Sequence, residues 1–239
     1  MKLPLVVANW KMNPASLKEA RELFECVGEM GEVNCEVVVC PPFPFIPFGE
    51  KVTLGAQNCF CKDLPTFEGS FTGEVSPSML RDLGCEYVIV GHSERRTVLG
   101  ERDENINAKV GAAVFADLTP ILCVGEEDEK EGGEKVKKQI EEGLKGVSSL
   151  EKVVVAYEPL FAIGTGKPCS IDLATERKDL IKEALSGIAP ESEGVPVLYG
   201  GSVDENNCRE YIEEAGFNGL LVGGASLKKE KFRKIVKKL

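Results

Sequence analysis

One histidine, His92, occurs in 239 residues, no CxxC pair is present, and the nine cysteines are an odd number scattered across strand-like and helix-like segments. A zinc site therefore has few ligands to draw on, no disulfide framework is spelled out, and reduced thiols are the expectation. No run approaches the roughly 20 apolar residues of a membrane span, and no signal-type segment precedes the first apolar run, so a soluble, unexported, cytoplasmic protein with no membrane partner is expected. Basic residues are the minority, 29 against 39 acidic, for a net charge of -10. That balance argues against a nucleic-acid partner, because duplex binding relies on Lys and Arg neutralising phosphates. No GxGxxG follows the first strand, which weakens the case for a doubly wound dinucleotide-binding sheet. Linkers, low-complexity tracts and shorter repeats are also missing, and a single domain over residues 1–239 is expected.

What is present is an alternation of short β-branched runs with longer amphipathic stretches, the pattern of parallel βαβ units. Eight runs are predicted as strands: Leu5–Asn9, Glu36–Cys40, Val52–Gln57, Tyr87–Gly91, Thr119–Val124, Val153–Tyr157, Val195–Tyr199 and Gly219–Val222. Eight units of about 30 residues fit an α/β fold of the (β/α)8 barrel type. Ser16, with Glu19 three residues on, predicts a capped helix from Ser16 to Met30, and Asp172 is read as the cap of a helix reaching Leu185. Between residues 126 and 142 a charge run predicts a solvated loop and helix with Val136, Ile140 and Leu144 inward, and Phe232, Ile235, Val236 and Leu239 predict a packed terminal helix.

In such a barrel the strand C-termini share one face, so polar residues just past them converge. Those positions hold Asn9 and Lys11, Gln57 and Asn58, His92, Ser93 and Glu94, Glu126, Glu158, then Gly200-Gly201-Ser202 and Gly223-Gly224. A carboxylate, an imidazole, an ammonium and unhindered backbone amides in one mouth suit proton abstraction next to a carbonyl on a phosphorylated substrate. Gly164-Thr165-Gly166 adds a third glycine segment for the anion. Glu94 has two readings, orienting Lys11 or supporting the helix that follows. His92 is expected to stay neutral from about pH 5 to pH 9, because helix amides and Lys11 are weighed above Glu94 and Glu158.

Six blocks carry a specific resemblance: Ala8-Asn9-Trp10-Lys11-Met12-Asn13, Val90-Gly91-His92-Ser93-Glu94-Arg95-Arg96, Ala156-Tyr157-Glu158-Pro159, Ala162-Ile163-Gly164-Thr165-Gly166-Lys167, Tyr199-Gly200-Gly201-Ser202-Val203 and Val222-Gly223-Gly224-Ala225-Ser226. In order and span they resemble the triosephosphate isomerase family. The resemblance implies Glu158 as general base, His92 as electrophile and Lys11 as the charge-stabilising ammonium, with Asn9 beside them. It also implies Gly164, Ser202, Gly223 and Gly224 as phosphate-binding positions, residues 159–169 as a closing lid, a triose phosphate substrate, no cofactor and no metal. A loop containing Phe71-Thr72-Gly73-Glu74 implies a homodimer, with higher assembly open because the chain is short for the family. Phe161 stands where the family usually has Trp.

Overall fold

The computed structural model describes residues 3–60, 68–162 and 168–239. Eight parallel strands form a closed barrel in sequence order: β1 (Leu5–Asn9), β2 (Glu36–Cys40), β3 (Thr53–Ala56), β4 (Cys85–Val90), β5 (Thr119–Glu126), β6 (Val154–Pro159), β7 (Val197–Tyr199) and β8 (Gly219–Val222). Around them lie α1 (Leu17–Gly28), α2 (Pro77–Asp82), α3 (Ser93–Leu99), α4 (Asp103–Phe115), α5 (Glu134–Gly143), α6 (Ile171–Ile188), α7 (Cys208–Glu213) and α8 (Lys229–Lys238). The chain is a (β/α)8 barrel, as the alternation predicts. None of the helices described is long and apolar enough to cross a membrane.

The strands are mostly apolar because both of their faces are largely covered. Successive side chains point to opposite sides, and the core divides accordingly. Leu5 and Val7 of β1 join Val38, Ile89, Ile121, Val154, Leu198 and Leu221 inside the barrel. Val6 and Ala8 face the helices, where Trp10, Phe24, Ile140, Ile181 and Phe232 fill the outer layer. The helix stripes meet this layer: Ala20, Leu23 and Phe24 from α1, Val136 and Ile140 from α5, and Phe232, Ile235 and Val236 from α8.

Local signals set the helix starts. The Ser16 hydroxyl accepts the Glu19 amide at 3.3 Å, as its spacing predicts. For α6 the cap is Ser170, whose hydroxyl accepts the Leu173 amide, and not Asp172, which lies within the first turn where its charge favours the helix dipole. Strand ends differ by one or two residues from the sequence reading at β3 to β7; β5 and β6 each run two residues further, through Glu126 and Pro159.

Closure depends on β8 meeting β1, with Leu5 opposite Gly219 and Ala8 opposite Val222. Gly219 is required there by close approach, since a Cβ would lie 2.0 Å from the Leu5 carbonyl oxygen. Gly219→Ala is expected to open this seam and destabilise the fold by about 3 kcal/mol, the upper part of the usual overpacking range. Urea unfolding measures it, and a loss under about 0.5 kcal/mol, as at an ordinary surface site, would show that the seam yields easily.

Candidate functional site

β1 delivers Asn9 and, two residues on, Lys11. Lys11 has φ of +53°, a left-handed conformation disfavoured for a side chain with a Cβ. Two side chains hold it there. Asn9 Oδ1 accepts the Lys11 amide at 3.0 Å, and Gln57 donates from Nε2 to the Lys11 carbonyl at 2.8 Å and to that of Cys40 at 2.9 Å. The ammonium then reaches Glu94 Oε1 at 2.5 Å. Of the two readings for Glu94, contact with Lys11 is the one its side chain makes.

β4 runs into His92, which caps α3: its Nδ1 accepts the Glu94 amide at 3.2 Å. A nitrogen that accepts cannot carry the hydrogen, so the neutral ring is protonated on Nε2. Nε2 faces Glu158 Oε1 at 2.9 Å, and the other carboxylate oxygen accepts the Ser93 amide at 2.8 Å. Both side chains are buried. Burial pushes the His92 pKa down, while the charge and hydrogen bond of Glu158 push it up; the balance lies above the ordinary 6.5. The sequence reading ranked these the other way. It placed the amide at the ring correctly, but did not place a carboxylate within hydrogen-bond distance of the second nitrogen.

Asn9, Lys11, His92, Glu158, Ser202, Gly223 and Gly224 line one cleft of about 280 Å3 at the strand C-termini, together with Gly200 and Gly201. Gly224 opens a 3-10 turn ending at Leu227, whereas five residues separate Ser202 from α7, so only the second glycine pair leads directly into a helical turn. Gly164, with the rest of Gly164-Thr165-Gly166, lies outside the described residues.

Two positions read as part of the mouth are not there. Asn58 turns to α4, where its Oδ1 accepts Lys109 Nζ at 2.8 Å. Glu126 is fully buried, bonded to Arg177 of α6 at 2.6 Å and to the Tyr157 hydroxyl at 2.9 Å. β5 continues two residues past its predicted end, so Glu126 lies within the strand, and the strand's alternation turns it toward the helices. Arg96 was not singled out from the sequence. It donates to the Gly91 carbonyl at 2.7 Å and pairs with Asp103 at 2.6 Å, bracing the turn that presents His92. Its place one turn into the helix after His92 was the available signal.

A polar cleft at the carboxyl end of a parallel eight-stranded barrel puts the chain in the class of (β/α)8-barrel enzymes, which carry their chemistry on that face. Comparison with known families matches the one described as triosephosphate isomerase over residues 4–239. Triosephosphate isomerase of Aquifex aeolicus is 43% identical, the match covering 97% of this chain and 98% of that one. Those of Prosthecochloris aestuarii and Carboxydothermus hydrogenoformans are each 44% identical over 99% of this chain and 98% and 99% of theirs. The chain belongs to the triosephosphate isomerase family.

With its pKa raised, His92 contributes stability that is complete below the unfolded value near 6.5 and is lost as pH rises through the folded value. Glu158→Gln removes the charge responsible. The His92 midpoint, read by nitrogen-15 NMR as the chain's one imidazole, is expected to fall in that variant, and the stability gap between wild type and variant to narrow as pH rises through that window. An unchanged midpoint would show that Glu158 does not set the charge of the ring.

Proposed function

We propose that this protein interconverts dihydroxyacetone phosphate and D-glyceraldehyde 3-phosphate by proton transfer through an enediolate, as a cytoplasmic step of glycolysis and gluconeogenesis that needs no cofactor. The carrying observation is that Glu158, His92 and Lys11, which come from three separate strands, line one cleft. Glu158 is the base, His92 the electrophile and Lys11 the ammonium, with Asn9 holding the Lys11 backbone. The phosphate is held by Gly164, Ser202, Gly223 and Gly224, and residues 159–169, part of which lie outside the described residues, act as the lid. Residues 1–239 work as one domain.

The resting contacts support a course for the first step. Glu158 occupies the His92 Nε2 hydrogen and the Ser93 amide. A bound carbonyl oxygen takes over the Nε2–H, and the carboxylate leaves both partners to reach the substrate carbon. Its departure also removes the charge that raises the His92 pKa, so the ring meets the substrate neutral, a better-matched donor to a weakly acidic enediol. These roles for a glutamate base, a neutral histidine and a closing lid are a known pattern of pKa tuning in this family. Donors already aimed at the oxygens that gain charge lower the barrier without reorganising. A lid excludes water and keeps the intermediate from losing its phosphate by elimination.

A homodimer is the proposed working assembly, with higher assembly open. Met12, 93% exposed, lies just past β1, and Val98 and Leu99 are exposed at the far end of α3, apolar surface that a partner would cover. Sedimentation equilibrium is expected to give twice the chain mass or more; a monomer at micromolar concentration would reject the assembly.

Glu158→Asp withdraws the carboxylate by roughly 1 Å, a misplacement that can cost about 10²-fold in kcat while leaving KM little changed. A coupled assay on dihydroxyacetone phosphate reads both constants. Wild-type kcat in the variant would remove Glu158 from the role of base, and no turnover by the wild type would remove the activity.

A further inference from the structure

Beyond β7 the chain passes quickly from the sheet into the cleft. The Gly200 amide still donates to the Tyr157 carbonyl of β6 at 2.7 Å, while Gly201, Ser202 and Val203 already line the cleft. Five residues separate Ser202 from α7, and a side chain among them spans the turn. Asn207 donates from Nδ2 to the Ser202 carbonyl at 3.2 Å and accepts the Asp204 amide on Oδ1 at 2.9 Å. A backbone amide only donates, so the end of the side chain facing Asp204 must be the oxygen, and its N–H groups are left for Ser202.

Part of this arrangement is ordinary helix-start chemistry. Asp204 Oδ1 accepts the Asn206 amide at 2.7 Å and the Asn207 amide at 3.3 Å, and Asn207 Oδ1 returns a bond to the Asp204 amide. That reciprocity is the pattern of a capping box, in which glutamate or glutamine usually holds the place of Asn207. The donor to Ser202 is not part of the pattern, and a carboxylate cannot supply it. Asn207 also immediately precedes Cys208, the first residue of α7, yet its side chain makes no cap bond to that helix. Its amide group is committed to the turn behind it.

We propose that Asn207 is a positioning residue of the phosphate site, holding the peptide between Ser202 and Val203 in the orientation that receives the phosphate. The inference deepens the proposed isomerase reading and rests on it. Because a peptide unit is planar, fixing the Ser202 carbonyl fixes the whole Ser202–Val203 unit. Gly200 and Gly201, just upstream, leave the backbone many conformations, so the restraint has to come from the other side of Ser202. Donors arranged in advance bind an anion without an ordering cost at the moment of binding. Asn207 does not itself line the cleft, so it acts through Ser202.

The experiment titrates glycerol 3-phosphate, which lacks the carbonyl and does not react, by phosphorus-31 NMR, and measures kcat and KM on dihydroxyacetone phosphate. Asn207→Asp keeps the length and the capping oxygen and loses the donor. Asn206→Asp puts the same charge on the neighbouring exposed residue and controls for repulsion of the phosphate. Asn207→Asp is expected to bind glycerol 3-phosphate about fivefold or more weakly than Asn206→Asp, the effect of about one lost hydrogen bond, with KM raised in step and kcat within about twofold. A role confined to the start of α7 is kept by aspartate and would leave the two variants alike. Equal dissociation constants in the two, or a loss confined to kcat, overturns the proposal. Should Asn207→Asp not fold, the neutral pair Asn207→Ser and Asn206→Ser decides by the same readings. If the wild type binds glycerol 3-phosphate but turns over no triose phosphate, the isomerase reading falls while the binding comparison still decides the role of Asn207. A wild type that does not bind glycerol 3-phosphate overturns the proposal, since there is then no phosphate site to shape.

Discussion

Side chains along a strand in a closed parallel barrel must alternate between the packed interior and the helix layer, and the functional side chains are subject to the same rule. On β6, Val155 and Tyr157 face the helices while Ala156 lies inside the barrel, which sends Glu158 inward at the strand's open end. There it meets His92 from β4, two strands away. On β5 the same alternation sends Cys123 inward and Glu126 to the helices, where an arginine must accompany it. Two glutamates one register step apart thus have different environments and different uses.

Much of this was legible in the sequence because strand number, order and alternation follow from local composition. β1, β2 and β8 begin and end where the sequence reading places them, and the N-cap of α1 and its buried Ala20, Leu23 and Phe24 follow its spacing. The residues of the cleft were legible for the same reason, since each stands at or just past a strand end. What was not legible depends on partners distant in sequence. Whether Glu126 lies past β5 or belongs to it is decided by pairing with Pro159, 33 positions on, and by Arg177, 51 positions on. Asn58 likewise turned to Lys109, a lysine that nothing local marks as buried. The charge of His92 depended on a distance between two strands, which no spacing along the chain encodes.

The overall negative charge and a site for a phosphorylated substrate are compatible because short-range donors, not net charge, act inside a low-dielectric cleft. At the mouth, Lys11 is held in a backbone conformation it would not choose, with Glu94 in contact with its ammonium. The strain is absorbed by Asn9 and Gln57, which belong to β1 and to the end of β3, so the barrel itself keeps the ammonium in place.

His92 caps α3 as well as facing Glu158, and this double duty limits how the site can be redesigned. Alanine there removes the proposed electrophile and a helix start together, so any effect on rate is entangled with fraying of the first turn. Asparagine, a good cap with an oxygen acceptor, keeps the scaffold while changing the chemistry. Anyone transplanting this mouth onto another barrel must therefore carry across the opening turn of α3 with it, since the imidazole is aimed by the helix it begins.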